Sequence, residues 1–93
     1  MEKEQIINTI SDFIREILRK KDLLIHPEDN FFQKLGLDSM AAVEFIIKLE
    51  EEFGISIDDT EAQAVETPNR AAELILEKLS DNQNTMLSEK IAV

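Results

Sequence analysis

The chain of 93 residues offers one place where chemistry can be anchored, the run Leu35-Gly36-Leu37-Asp38-Ser39-Met40. A helical pattern begins at Ser39, so its hydroxyl stands at a helix N-terminus. Free N–H groups and the positive end of the dipole stabilise a phosphate there by about 0.3–1 kcal/mol. Ser39 is therefore placed to carry a phosphoester. The competing reading is that Asp38 and Ser39 only cap the helix, a common use of these residue types. A serine-hydrolase site is poorly supported, because no Gly-x-Ser-x-Gly surrounds Ser39 and the single histidine, His26, lies beside Pro27 as a surface residue would. The chain has no cysteine, which excludes disulfides, thiolate metal sites and a thiol nucleophile of its own. Any sulfur chemistry must be imported. Asp58-Asp59-Thr60-Glu61 lacks the glycine-centred spacing of a calcium loop, and no metal site is expected.

The elements that must hold Ser39 read as all-α. Two Gly, two Pro and no Tyr or Trp argue against a turn-rich β domain. Ile6, Ile10, Phe13, Ile14 and Ile17 form a stripe at helical spacing, flanked by Ile7 and Leu18, which predicts an amphipathic helix over about residues 3–20. Arg19, Lys20 and Lys21 fall at its end, where the dipole favours cations. A long connection from about Asp22 to Asp38 is held down by Leu23, Leu24, Ile25, Phe31, Phe32, Leu35 and Leu37, anchors that a connection of this length requires. The second helix runs from Ser39 to Phe53 and stops at Gly54. Ile55, Ser56 and Ile57 are extended. Asp58 and Glu61 then form a capping pair for a short helix through about Val65, and Thr67-Pro68 opens the last helix, which fades near Ser80. Residues 1–80 are one domain and 81–93 a polar, loose tail.

The second helix has two faces. Ala42, Phe45, Ile46, Leu49 and Phe53 make a core stripe, whereas Met40, Glu44, Ile47 and Glu51 project from nearly the opposite side, with Val43 and Glu50 at the border. Met40 and Ile47 are either further core contacts or the apolar centre of a recognition face with an acidic rim. Charge favours recognition. The chain has 20 acids against 10 bases, net −10, and the segment from Asp38 to Glu66 alone holds nine acids and one base, Lys48, or −8. Like charges four residues apart destabilise a helix by a few tenths of a kcal/mol, so the concentration makes sense where a basic protein surface docks. The same field repels nucleic acid and anionic lipid. MEKEQIINTI lacks the pattern of a secretory signal and no run reaches membrane-spanning length, so the expected location is the cytoplasm.

The LGLDSM run, the following VEFIIKLEEEFGISI and the Thr-Pro start of the last helix resemble the acyl carrier proteins and their relatives, the peptidyl and aminoacyl carrier domains. The resemblance covers about residues 3–80. It implies a four-helix bundle, three major helices and one short one, with Ser39 esterified by 4′-phosphopantetheine from coenzyme A and a terminal thiol carrying cargo as a thioester. Asp38 matches the acidic residue used in metal and positioning contacts of the modifying enzyme. Met40, Val43, Glu44 and Ile47 match the exposed recognition positions, and Glu50 and Glu51 the acidic end of that helix. Phe31 and Leu35 match loop anchors; Phe53, Ile57, Val65, Ala71 and Ile75 match core positions. Two positions depart from the pattern: Lys34 stands where fatty-acid carriers are often acidic, and Asp58 replaces a frequent proline.

The function expected is that of a free-standing, monomeric carrier with no catalysis of its own, acted on by a phosphopantetheinyl transferase, a loading ligase or transferase, and condensing and modifying enzymes of fatty-acid-like or polyketide-like biosynthesis. The alternatives are an aminoacyl or peptidyl carrier, including the D-alanyl type, loaded by an adenylating ligase, and an acidic helical adaptor with no prosthetic group.

Overall fold

The computed structural model describes the backbone of residues 2–92 and the side chains of residues 2–80. Four helices follow in order, α1 (Lys3–Leu18), α2 (Ser39–Phe53), α3 (Asp59–Ala64) and α4 (Pro68–Ala92). There is no strand among the described residues, as expected of an all-α chain. No helix among them is long and apolar enough to cross a membrane.

Local chemistry sets the helix ends. Glu2 caps α1 reciprocally with Gln5, whose side chain accepts the Glu2 N–H at 3.2 Å. The helix closes at Leu18, two residues short of the predicted end, because Arg19 turns into the left-handed region (φ 56, ψ 44). There the Arg19 N–H meets the carbonyls of Arg15 and Glu16, and the Lys20 N–H that of Arg15 at 3.0 Å, which satisfies the last turn. Gly54 ends α2 in the same left-handed conformation, at φ 65. Asp58 accepts the Glu61 N–H at 2.8 Å while Glu61 accepts the Asp58 N–H at 3.0 Å, the predicted pair. The acid that replaces a frequent proline is thus the N-cap of α3. Thr67 Oγ1 accepts the Arg70 N–H at 3.1 Å, with Pro68 buried at the first helical position. The expectation that the last helix fades near Ser80 is not met: no Gly or Pro interrupts the sequence after Pro68, and the backbone stays helical to Ala92. Whether 81–93 packs as part of the domain or stands off as a tail lies outside the described side chains.

One core joins the helices. Ile6, Ile10 and Ile14 of α1, Phe45 and Leu49 of α2, and Ala71, Ala72 and Ile75 of α4 are buried together with Phe31, Leu35 and Leu37 of the connection. Each large aliphatic contributes about 1.5–3 kcal/mol. The Phe31 and Phe45 rings meet edge to face at 5.0 Å, which fixes the connection against α2.

Backbone bonds hold the connection where apolar anchors alone would not. The Phe31 N–H donates to the Glu66 carbonyl at 2.8 Å and the Asn69 N–H to that of Pro27 at 2.9 Å, tying the segment to the α3–α4 junction. Arg15 Nε donates to the Leu23 carbonyl at 2.9 Å. Asn30 Oδ1 accepts from the N–H groups of Phe32 and Gln33, both at 2.8 Å, and starts a turn that delivers Leu35 to the core. Two of the seven expected anchors do not anchor. Leu24 is 79% exposed and Phe32 41% exposed, because the backbone turns Leu23 and Ile25 on either side of Leu24, and Phe31 before Phe32, toward the core instead. Lys34 explains its departure from the family pattern by reaching Asp29 at 3.4 Å. His26 lies on the surface as predicted, and its N–H donates to Asp29 Oδ2 at 2.9 Å. That bond, with Lys34 beside it, holds the Asp29 carboxyl below the usual range against the effect of its burial.

Candidate prosthetic-group attachment site

Gly36, at φ 80, lets the chain reverse after Leu35 so that Leu37 buries and the next three residues emerge. Asp38 is the N-cap of α2: its Oδ1 accepts the Ala41 N–H at 2.8 Å, and its carbonyl accepts from Ala42 at 2.9 Å. The capping reading therefore describes Asp38. Ser39 is exposed, and its hydroxyl makes no hydrogen bond among the described residues. The N–H groups of Ser39 and Met40, at the first two helical positions, likewise lack an acceptor there. An exposed serine beside unspent donors at a helix N-terminus fits a phosphoester.

Beyond Ser39 the recognition positions separate by role. Met40 is 83%, Val43 60% and Ile47 46% exposed, which removes the core-contact reading of Met40 and Ile47; Glu44 and Glu51 are exposed beside them. The inner stripe is as expected, with Phe45 and Leu49 buried and Ala42, Ile46 and Phe53 half-buried against the core. Glu50 differs from its acidic neighbours. It is half-buried, and its Oε2 accepts the Ile57 N–H at 2.8 Å, so this carboxylate holds the extended segment between α2 and α3. Nothing in the local sequence marks it, because the acceptor and donor are seven residues apart across a helix end.

Between α2, α3 and the connection lies an apolar cavity of about 260 Å³. Phe31, Phe45, Ile46, Ile57, Ala62 and Val65 line it, Val43 and Ile47 reach it from the exposed strip, and Glu50 and Asp59 are its acidic members. Phe32, misplaced as an anchor, is a further wall. Sequence pattern alone does not reveal this space, since its apolar residues read as core, as loop anchors or as part of the exposed face, and none of these readings implies a void. The wall formed by α3 rests on a salt bridge from Lys78 to Glu61 at 2.8 Å, which together with the Asp58 N–H keeps the Glu61 carboxyl below its usual range.

Residues 8–75 match the family described as the phosphopantetheine attachment site. The acyl carrier protein of Lactobacillus acidophilus is 39% identical over 75 residues, 81% of this chain and 94% of that protein. That of Rubrobacter xylanophilus is 34% identical over 77 residues, 83% of this chain and 95% of its own length. Acyl carrier protein 1, chloroplastic, of Spinacia oleracea is 38% identical over 73 residues, 78% of this chain, which spans about half (53%) of that longer relative. In fold, the crystal structure of the acyl carrier protein of Thermotoga maritima superposes with a TM-score of 0.74 at 23% identity, covering 87% of this chain and 94% of the other. A family match over residues 8–75, with relatives above 30% identity matched over more than nine-tenths of their own length, makes this chain a member of the acyl carrier protein family, carriers rather than enzymes, and membership implies a covalently attached 4′-phosphopantetheine.

Proposed function

We propose that Ser39 is the attachment point and that the chain carries acyl intermediates for enzymes of fatty-acid-like or polyketide-like biosynthesis. The attached group supplies the thiol that a cysteine-free chain lacks, and cargo is held on it as a thioester. This chain's residues present and protect. Asp38 caps the start of α2, beside an exposed Ser39. Met40, Val43 and Ile47 offer an apolar strip, with Glu44 and Glu51 as the acidic rim that steers basic patches of a transferase, a loading enzyme and condensing enzymes. Such partners must bind briefly, which suits a small, charged interface. Glu50 contributes to that face through charge and to the cavity through its bond to Ile57. The reducing cytoplasm is a compatible setting for a chain without cysteine.

The observation that carries the acyl reading is the cavity beside α2, whose volume lies just under the roughly 300 Å³ at which drug-sized ligand sites begin and suits a short chain. A second reading, aminoacyl cargo including the D-alanyl type, draws on Glu50 and Asp59 in the same lining, since a carboxylate would pair an amino group. Incubation with a phosphopantetheinyl transferase and coenzyme A, followed by intact mass, is expected to give one covalent increment on the natural chain and none on Ser39→Ala. An unmodified natural chain with several competent transferases overturns the attachment. Loading with butyryl, hexanoyl or alanyl groups then separates the cargo classes: acyl chains are expected to raise the melting temperature, and a rise with alanyl alone favours the second reading.

A further inference from the structure

Acids outnumber bases two to one, yet several exposed cations, Arg70 among them, form no ion pair among the described residues, and three of these stand together. Lys3, Arg15, Lys34 and Lys78 each form an ion pair, and Lys48 lies over the Phe13 ring. Arg19, Lys20 and Lys21 are exposed and form no ion pair among the described residues. The dipole of α1 accounts for a cation in its last turn, yet Lys20 and Lys21 follow the left-handed reversal at Arg19, and exposed Leu24 gains nothing from a dipole. Arg19 itself occupies a backbone region where glycine or asparagine is usual. The Leu23 N–H bond to the Lys20 carbonyl, 3.1 Å, pins the corner further. The result is a corner with three cations against Asp22 inside it and Glu16 at its edge, net basic, around one exposed aliphatic side chain.

Its complement is on the same molecule. The strip of α2 carries Met40, Val43 and Ile47 between exposed Glu44 and Glu51, opposite in charge and alike in apolar content. We propose that the basic corner of one molecule docks on the α2 strip of a second copy, as a weak head-to-tail association. The two patches differ, so the contact is heterologous and does not close into a two-fold dimer, and its small area keeps it transient. A net charge of −10 on each copy opposes approach. At about 0.15 M salt the Debye length is about 8 Å, so distant repulsion is screened while touching patches still attract. Association is therefore weak at low salt, strongest near physiological salt and weak again at about 1 M, where the Debye length falls to about 3 Å. An anionic lipid surface is the poorer occupant, because the whole chain is repelled and one leucine is all that would enter. Where the strip also receives enzymes, a consequence that rests on the proposed docking function, association lowers the fraction of carrier open to them.

The test is amide NMR on the full chain, raised from micromolar to millimolar concentration near physiological salt. Signals of residues 19–24 and 40–51 are expected to move together. Lys20→Glu with Lys21→Glu, and separately Glu44→Lys with Glu51→Lys, are each expected to weaken association roughly tenfold or more. A mixture of the two reversed chains restores it, because each then supplies the patch that the other lost. Should a reversed chain fail to fold, the milder pair Lys20→Gln and Lys21→Gln, with the salt series on the natural chain, tests the same contact. No shifts at millimolar concentration, shifts in only one patch, a monotonic salt response or a mixture that stays monomeric overturns the proposal. Failure of phosphopantetheine attachment at Ser39 would leave all of these readouts unchanged.

Discussion

The α1–α4 side and the α2–α3 side share one core but are built differently. On the first, Ile6, Ile10 and Ile14 meet Ala72 and Ile75 with no surface left to solvent. On the second, α3 buries no residue, α2 buries only Phe45 and Leu49, and a cavity of about 260 Å³ remains between them. A chain of this size removes only about 60% of its unfolded surface from water, so it cannot seal every contact. Ile55, Ile57 and Val65 are buried on the second side too, so the difference lies in the space left open beside α2 and α3. Packing thus distinguishes a closely filled side from one that keeps open space.

The largest effect that would break this division is on stability. Ile10→Ala is expected to remove about 2–5 kcal/mol in urea unfolding, and Ile46→Ala, in the cavity lining, about half as much or less. Equal losses would mean that both sides are packed alike. Next comes the carboxylate that joins α2 to the segment before α3. Glu50→Ala is expected to cost about 1–2 kcal/mol and to speed amide exchange at Ile57, whereas Glu50→Gln, which keeps an acceptor, retains much of the protection. Filling the cavity should matter less to folding than to cargo. Ala62→Leu is expected to change stability by under about 1.5 kcal/mol while abolishing the dependence of melting temperature on acyl chain length.

The smallest effect is on pH dependence. The carboxyls of Asp29, held by the His26 N–H, and of Glu61, held by Lys78, both lie below their ordinary range when folded. Folding therefore gains from both above that range, and the gain is lost as pH falls below about 4 through the folded-state values. Acid should loosen α3 before α1, read as amide exchange along the chain, and Glu61→Gln should flatten that acid dependence. Simultaneous loosening of all helices would sharpen the comparison against an independently adjustable face.

Much of this was legible in the residues. The stripe of α1, the Gly54 stop, the reciprocal Asp58–Glu61 cap and the Thr67-Pro68 start are each set by neighbours within four positions, where helix geometry is local. The exposed face of α2 was legible too, since 100° per residue places Met40 and Ile47 away from Phe45 and Leu49. The failures fall where distance along the chain is spanned. Leu24 and Phe32 carry the apolar character of anchors, yet bonds to Glu66, Asn69 and Arg15 decide which side of the connection turns inward. Arg19 ends α1 early although its residue type does not announce a left-handed turn.

The amino-acid order by itself determined that the chain is helical, that it has no thiol of its own and that Ser39 opens an acidic, two-faced helix, because each depends on residue type and short spacing. The folded arrangement decided that the Ser39 oxygen is uncommitted, that Glu50 is spent on Ile57 and that an apolar cavity lies alongside. Those three depend on which groups from remote segments come within hydrogen-bond or van der Waals reach, and no local pattern encodes that distance.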